Sequence, residues 1–338
     1  MIRRVLVAYN ADWLVTDVRA NSDVVAMAVG VRSALEKRGF SAELLAVSGE
    51  DVCEVVQRVR GHRPDLVFNL CESLLRDARH EPVLPALLDL YGIAYTGSAP
   101  LALGTALRKS RTKELMRARG VPTPEAVAIA PGESADAALP LGFPVIVKPG
   151  REDASIGIEA GSVVRTPEAL ADRVRRVHDE FHQEALVERF IDGRELYVTV
   201  LGNAAASRAL PIHEIDFAHL PAALPRIVTY NGKWSEEHEE YVGTKPVLAL
   251  LTPEQQRRCE AAARAALAAV GVRDYGRCDI RLTADDTPYV IDVNPNCDIS
   301  EDAGVARAAR AAGLDYPALI ASIAEAALAR SASDPEAL

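Results

Sequence analysis

The five cysteines, Cys53, Cys71, Cys259, Cys278 and Cys297, are odd in number, scattered, and form no Cys-x-x-Cys pair. A disulfide scaffold and a structural zinc ribbon are thereby disfavoured, and a reducing, cytoplasmic setting fits. Free cysteines of this kind read as small buried hydrophobes. No run approaches the roughly 20 apolar residues that span a bilayer. Met1–Tyr9 carries Arg3 and Arg4 before apolar residues, but the run stops at Asn10, Ala11 and Asp12, so it reads as a first buried strand rather than a signal peptide. There is no internal repeat and no long low-complexity tract. No G-x-G-x-x-G follows that first strand, which removes a nicotinamide-dependent Rossmann site. The Walker pattern G-x-x-x-x-G-K-[ST] is missing too. Positive charge is in deficit: 38 Lys and Arg against 48 Asp and Glu leave a net charge of −10. That argues against nucleic acid or an anionic membrane as partner, and any anionic ligand needs locally placed lysines and arginines.

What is present is ordinary globular material, 49% apolar and 25% charged over 338 residues, enough for two or three domains. The first hundred residues alternate strand and helix patterns: strands at 4–9, 42–47 and 65–70, helices at 22–38, 52–60 and 82–91. Such order implies a parallel sheet with helices on both faces, whose ligands collect beyond the strand ends, at 69–81. From Lys109 the pattern changes to a basic helix at 110–119, a strand 143–149 ending in Lys148, a loop 150–157, a helix 167–181 and a strand 185–190. A third unit from Leu196 holds several strands, a polar excursion at 230–244, a helix at 253–270, an acidic hairpin and a helix at 303–312. The expected units are therefore 1–108 (α/β), 109–195 and 196–330 (each α+β), with a disordered tail at 331–338.

The hairpin carries the strongest chemical signal. Asp279-Ile280-Arg281-Leu282 and Tyr289-Val290-Ile291-Asp292-Val293-Asn294 each alternate polar and apolar residues, with a polar turn between them. Closing that turn brings Asp279 near Asp292, with Asn294 on the same face. Two carboxylates and an amide oxygen form a hard-oxygen set suited to Mg²⁺ together with phosphate oxygens. Lys148 opens Pro149-Gly150-Arg151-Glu152-Asp153-Ala154-Ser155-Ile156-Gly157, which reads either as a lysine and backbone cradle for polyphosphate or as an ordinary loop. Glu188–Glu195 reads either as a charged linker or as a backbone edge for adenine. Arg277 is a structural ion-pair partner or a group for a charged carbonyl oxygen. His213, beside Glu214 and Asp216, reads as structural. Glu72, Arg76, Arg79, His80 and Glu81 lie where a substrate ammonium or carboxylate docks, or form a solvated loop. Trp234 caps the pocket or anchors its loop.

Taken in order, Val145–Pro149, Gly150–Gly157, Leu186–Arg189, Asp192–Glu195, Arg277–Asp279 and Asp292–Asn296 closely resemble the D-alanine–D-alanine ligase branch of the ATP-grasp ligases. Asn69–Glu72, Tyr95–Ser98 and Leu107–Lys113 add to the match, which spans about residues 1–330. The resemblance implies an ATP-grasp fold in which two lobes clamp ATP. It implies a ligase that phosphorylates a carboxylate and lets an amine attack the acyl phosphate, leaving an amide, ADP and phosphate. By position, Lys109 and Lys148 would hold phosphates under the Ser155, Ile156 and Gly157 backbone, with Ser155 also acting in catalysis. Glu188, Arg189 and Ile191 would frame adenine, and Glu195 the ribose. Asp279, Asp292 and Asn294 would hold two Mg²⁺ (or Mn²⁺) ions, Arg277 would face the acyl phosphate, and Lys233 would reach the γ-phosphate. The branch is commonly dimeric through its N-terminal unit.

This chain also departs from the family pattern. Asp292 stands where the family has glutamate. The glutamate, serine and tyrosine that surround the first substrate in D-alanine-specific members are replaced by Ser22 or Asp23, by Ala154 and by Trp234. After Asn294 the chain reads Pro295-Asn296-Cys297-Asp298-Ile299-Ser300, not Thr-Ser-Pro-Gly-Met-Thr. The expectation is a ligase with the ATP machinery intact and an acceptor other than D-alanine. The alternatives are D-alanine–D-alanine ligation proper and an ATP-binding regulatory protein without turnover.

Overall fold

Four consecutive apolar residues, Val5 to Ala8, cannot alternate between core and water, so the strand that holds them is covered on both faces. In the structure, a computed structural model describing residues 2–10, 18–49 and 52–333, that strand is β1 (Arg4–Asn10). It lies between β2 (Ser41–Val47) and β3 (Leu66–Leu70) in a parallel sheet of order β2-β1-β3. Val5 and Val7 face α1 (Val18–Lys37), while Leu6 and Ala8 face α2 (Val52–His62) and α3 (Val83–Leu90).

The face that α1 covers is completed from the far end of the chain. Helices α10 (Gly304–Ala311) and α11 (Tyr316–Ser333) bury Val305, Ala309, Leu319, Ile320, Ile323 and Ala327 in the same core as Val5, Phe68 and Leu35. Truncating a fully buried leucine such as Leu319 costs about 2–5 kcal/mol, so this closure is a large part of what holds the N-terminal layer. The sequence expectation had placed these helices with the unit 196–330. An apolar helix face states that something covers it, not which sheet does. Helix α11 also runs to Ser333, so residues 331–333 of the expected disordered tail are helical. The remainder of that tail lies outside the described residues. Near its end, Arg330 donates to the fully buried Asp274 at 3.0 Å and to the Tyr95 carbonyl at 2.8 Å, tying three segments together.

Helices α4 (Pro100–Ala106) and α5 (Lys109–Ala118) lead to an antiparallel sheet of order β4-β7-β5-β6: β4 (Ala126–Ile129), β5 (Val145–Pro149), β6 (Val163–Val164), β7 (Ala185–Arg189). Helix α6 (Pro167–Phe181) buries Leu170, Val174 and Val177 against it. The Thr166 side chain caps the helix by accepting the Ala169 N–H. The third sheet runs β11-β10-β8-β12-β13, with β9 (Arg208–Ala209) beside β8. Its members are β8 (Arg194–Leu201), β10 (His213–Asp216), β11 (Lys245–Leu248), β12 (Tyr275–Leu282) and β13 (Pro288–Asn294). Helix α9 (Pro253–Val270) backs it through Ala263, Ala266 and Leu267, and a Thr252–Gln255 capping box sets its start. The excursion at 230–244 is two short helices, α7 (Tyr230–Trp234) and α8 (Glu239–Val242). Among the described residues no single helix is long and apolar enough to cross a membrane.

Candidate active site

The hairpin closes, with one break in its alternation. Asp279 pairs directly with Asp292 and Arg277 with Asn294, while Cys278, Ile280, Val290 and Val293 enter the core on the opposite face. The turn is held by Asp286 N–H donating to the Thr283 carbonyl at 3.0 Å. A bulge between Asp279 and Ile280 leaves one extra residue, Ile291, on β13. Such a bulge re-aims a side chain: strict alternation from Val290 would turn Asp292 to the core opposite Cys278, and the extra residue brings it to the cleft opposite Asp279, beside Ile291.

That cleft, of about 710 Å³, lies between the second and third sheets. Lys109, Lys148, Ser155, Glu188, Arg189, Ile191, Glu195, Lys233, Arg277, Asp279, Asp292 and Asn294 all line it. Ile156 and Gly157 do not line it. Gly157 is turned with φ +73°, and an added Cβ would lie 2.5 Å from Pro149 Cγ and 2.8 Å from Phe181 Cζ. Ala154 and Ser155 share this left-handed backbone, with φ of 54° and 63°. The loop is latched to the excursion: Trp234 Nε1 donates to the Ala154 carbonyl at 3.0 Å and Tyr230 N–H to the Ile158 carbonyl at 2.8 Å. Lys233 sits 5.2 Å from the Trp234 ring. Burial and Arg277 lower its pKa, against Asp279, Asp298 and Glu72.

The acidic face is neutralised by cations of the chain itself. Arg277 holds Asp279 in a fork, Nε to Oδ1 at 2.7 Å and one terminal nitrogen to Oδ2 at 3.0 Å, and stacks 4.6 Å from the Tyr197 ring. Lys109 binds Asp153 at 2.8 Å and stands 3.8 Å from Asp292. Burial works to raise the Asp292 pKa, but Lys109, Lys148 and Arg277 together hold it below the usual carboxylate range. Asn294 Nδ2 is buried and, among the described residues, has no partner. Two carboxylates and the amide oxygen of Asn294 on one face are a hard-oxygen set that fits a divalent cation.

Two buried lysines share one oxygen of Glu188. Lys113 and Lys148 each lie 3.2 Å from Oε2, while Oε1 is buried and, among the described residues, without a partner. Burial pushes the Lys113 ammonium down to about 8 despite the attraction of Glu188. Lys113 also donates to Thr123 Oγ1, which donates to the Val290 carbonyl, so the triad reaches the strand that carries Asp292. Apolar side chains of Ile146, Phe190, Ile191, Ile227 and Ile291 line the neighbouring wall. Glu195, expected at a ribose, is only 5% exposed and is bound by Arg281 at 2.6 Å; the Tyr197 hydroxyl meets its other oxygen at 3.4 Å.

Sequence reasoning missed Lys113, Arg281, Tyr197 and Ile291. Lys113 is one helical turn from Lys109, and Arg281 continues the alternation Arg277, Asp279, so both were marked by spacing. The bulge that brings Asp292 opposite Asp279 had no such signal. His213 is outside the cleft lining; its ring meets the Pro211 carbonyl at 3.2 Å. Cys71, Cys259, Cys278 and Cys297 are buried thiols, and the side chain of Cys53 lies outside the described residues.

The family profile described as "D-ala D-ala ligase C-terminus" matches residues 115–325. The chain belongs to the D-alanine–D-alanine ligase family. A D-alanine–D-alanine ligase of Chromohalobacter salexigens is 32% identical over 321 residues, covering 95% of this chain and 93% of that one. An uncharacterized protein of Sinorhizobium fredii, y4sG, is 35% identical over 275 residues, covering 78% and 74%. In structure, a D-alanine–D-alanine ligase of Bacillus anthracis solved with ATP superposes with a TM-score of 0.76 at 20% identity, covering 98% of this chain and 99% of that one. The architecture is therefore that of an ATP-grasp ligase, with α/β and α+β layers as the sequence had suggested.

Proposed function

We propose that the protein uses ATP to activate a carboxylate as an acyl phosphate and joins it to an amine, releasing ADP and phosphate. The observation that carries this reading is the convergence of Lys109, Lys148, Arg277 and Lys233 with Asp279, Asp292 and Asn294 in one cleft beside an apolar slot. Adenine enters that slot, where the free Oε1 of Glu188 accepts from its amino group and the backbone at 188–191 offers an edge. Lys109 and Lys148 hold phosphate oxygens, and Ser155 closes over them with Ile156 and Gly157 as structural supports of the loop. Asp279, Asp292 and Asn294 would hold two Mg²⁺ ions, which supply charge neutralisation for a phosphoryl transfer that is otherwise mostly positioning. Glu195 reaches the ribose only through the oxygen that Arg281 does not take. Lys233 faces the γ-phosphate. Arg277, kept firmly protonated by Asp279 in spite of its burial, turns its charge to the oxygen that develops on the reacting carbonyl.

The acceptor is a compound other than D-alanine. Of the three replaced pocket positions, Ala154 offers no side-chain hydroxyl, and Trp234 spends its N–H on the Ala154 carbonyl. At the third position the side chain of Ser22 lies outside the described residues, and that of Asp23 is exposed. A second reading, D-alanine–D-alanine ligation proper, is favoured by the 32% identity to the Chromohalobacter salexigens ligase across nearly the whole chain. Incubation with ATP, Mg²⁺ and pooled acids and amines, followed by ADP and amide-mass detection, tests both. New amide masses that vanish in Asp279→Asn support ligation. Efficient D-alanyl-D-alanine formation from D-alanine alone overturns the choice of acceptor.

A further inference from the structure

Behind the apolar slot stands a cation that does not reach the cleft. Lys109 and Lys113 lie one turn apart on α5, and the first enters the cleft, where it binds Asp153 at 2.8 Å. Lys113 is 2% exposed and does not line the cleft. Its ammonium meets Glu188 Oε2 at 3.2 Å and donates to Thr123 Oγ1 at 3.1 Å. Thr123 spends its own proton on the Val290 carbonyl at 2.8 Å, so its oxygen is left to accept from Lys113. Even lowered by burial to about 8, the Lys113 ammonium stays charged at neutral pH.

Alternation puts Glu188 and Lys148 on one face of the second sheet. Ile146 pairs with Glu188 and Lys148 with Leu186, while Val147 and Val187 enter the core beneath α6. Lys148 shares Glu188 Oε2 at 3.2 Å but also lines the cleft, where phosphate oxygens draw it on the reading above. Lys113 has no such second call, and it remains on Glu188 when Lys148 turns. Glu188 is 1% exposed, and a carboxylate so deeply buried keeps its charge only against a paired cation. Burial opposes that charge, and Lys113 and Lys148 hold the group below the usual carboxylate range.

Glu188 itself lines the cleft, and its Oε1 is buried and, among the described residues, without a partner. An ionised carboxylate accepts hydrogen bonds and donates none, whereas a protonated one has a hydrogen to give. A purine with an amino group at C6 satisfies Oε1. A purine with a carbonyl at C6 sets two acceptors against each other, in a place where water cannot separate them. Which base the slot takes therefore depends on Glu188 staying an anion, and that depends on the lysine behind it.

We propose that Lys113, anchored on Thr123 outside the cleft, is a positioning residue that keeps Glu188 Oε1 an acceptor and so sets a preference for 6-amino over 6-oxo purine nucleotides. The inference rests on the ligase reading above and deepens it at the nucleotide site. Its test is calorimetric titration of ADP and of inosine diphosphate, each with Mg²⁺, into the full chain. The parent is expected to bind ADP at least about ten-fold more tightly, and Lys113→Met to cut that ratio about five-fold. In a Glu188→Gln background, Lys113→Met is expected to leave the ratio unchanged, because the lysine acts through that carboxylate. A lysine with a purely structural role weakens both nucleotides alike. Equal affinities in the parent, a ratio unchanged in Lys113→Met, or a further fall in the Glu188→Gln background each overturns the inference. Should Lys113→Met fail to fold, Lys113→Gln decides by the same ratio. Tight ADP binding with an unchanged ratio sinks the positioning role and spares the ligase reading; no magnesium-dependent binding of either nucleotide sinks both.

Discussion

Replacing Arg281 by methionine puts the buried electrostatics of the cleft wall to a quantitative test. Arg281 is 3% exposed and donates to Glu195 Oε2 at 2.6 Å, to the Gly193 carbonyl at 3.0 Å and to the Arg226 carbonyl. Glu195 is 5% exposed, and its other contact is the Tyr197 hydroxyl at 3.4 Å. Burial and the Asp279 charge already raise its pKa with Arg281 in place. Methionine keeps much of the volume and removes the cation, leaving a desolvated carboxylate and two carbonyls without their donor. Breaking a buried pair from one side costs about 3–5 kcal/mol, whereas removing both charges is far cheaper. Urea unfolding at pH 7, followed by far-ultraviolet circular dichroism, is therefore expected to show a loss of about 3–5 kcal/mol in Arg281→Met. The double variant Arg281→Met/Glu195→Gln is expected to recover more than about 1 kcal/mol of it. A loss below about 1 kcal/mol, or strict additivity in the cycle, would refute the claim that this pair is locked in the folded wall.

Further outcomes follow from the loop and the lysine triad. Gly157→Ala forces a side chain into a left-handed backbone and against Pro149 and Phe181, so stability is expected to fall by about 1–3 kcal/mol and the KM for ATP to rise; unchanged values contradict the loop geometry. Lys113 has a folded pKa of about 8, below its ordinary value of 10.5. Between those values the unfolded chain binds more protons than the folded one, so Lys113 makes stability rise with pH, with no such slope below about 8. The melting-temperature difference between the parent chain and Lys113→Met is expected to shift in the parent's favour from pH 7.5 to 9.5, and a shift the other way refutes the burial argument.

The layers and the acidic hairpin were legible because their signals are local. Continuous apolar residues in β1 and alternation in β12 and β13 each state which side of the strand is wet. Arg277 and Asp279 share a face by alternation, as do Asp292 and Asn294, but the two pairs meet only because one extra residue, Ile291, shifts the register. What stayed hidden is what depends on distant partners. Helices α10 and α11 complete the N-terminal core across more than two hundred residues, and no periodicity names the surface that receives an apolar face. Glu195 was legible as a cleft residue but not as the partner of Arg281, since pairing across β8 and β12 needs their register. The short strand β4 and helix α4 were too brief, and too poor in pattern, to stand out.

The central claim is that one acidic face holds divalent cations against a triphosphate. Equilibrium titration of ATP into the protein, with and without Mg²⁺, measures it most directly. The parent chain is expected to gain at least about ten-fold in affinity with Mg²⁺, and Asp279→Asn to lose that gain while its circular dichroism spectrum is unchanged. Affinity indifferent to Mg²⁺, or a full gain retained in Asp279→Asn, would contradict the account.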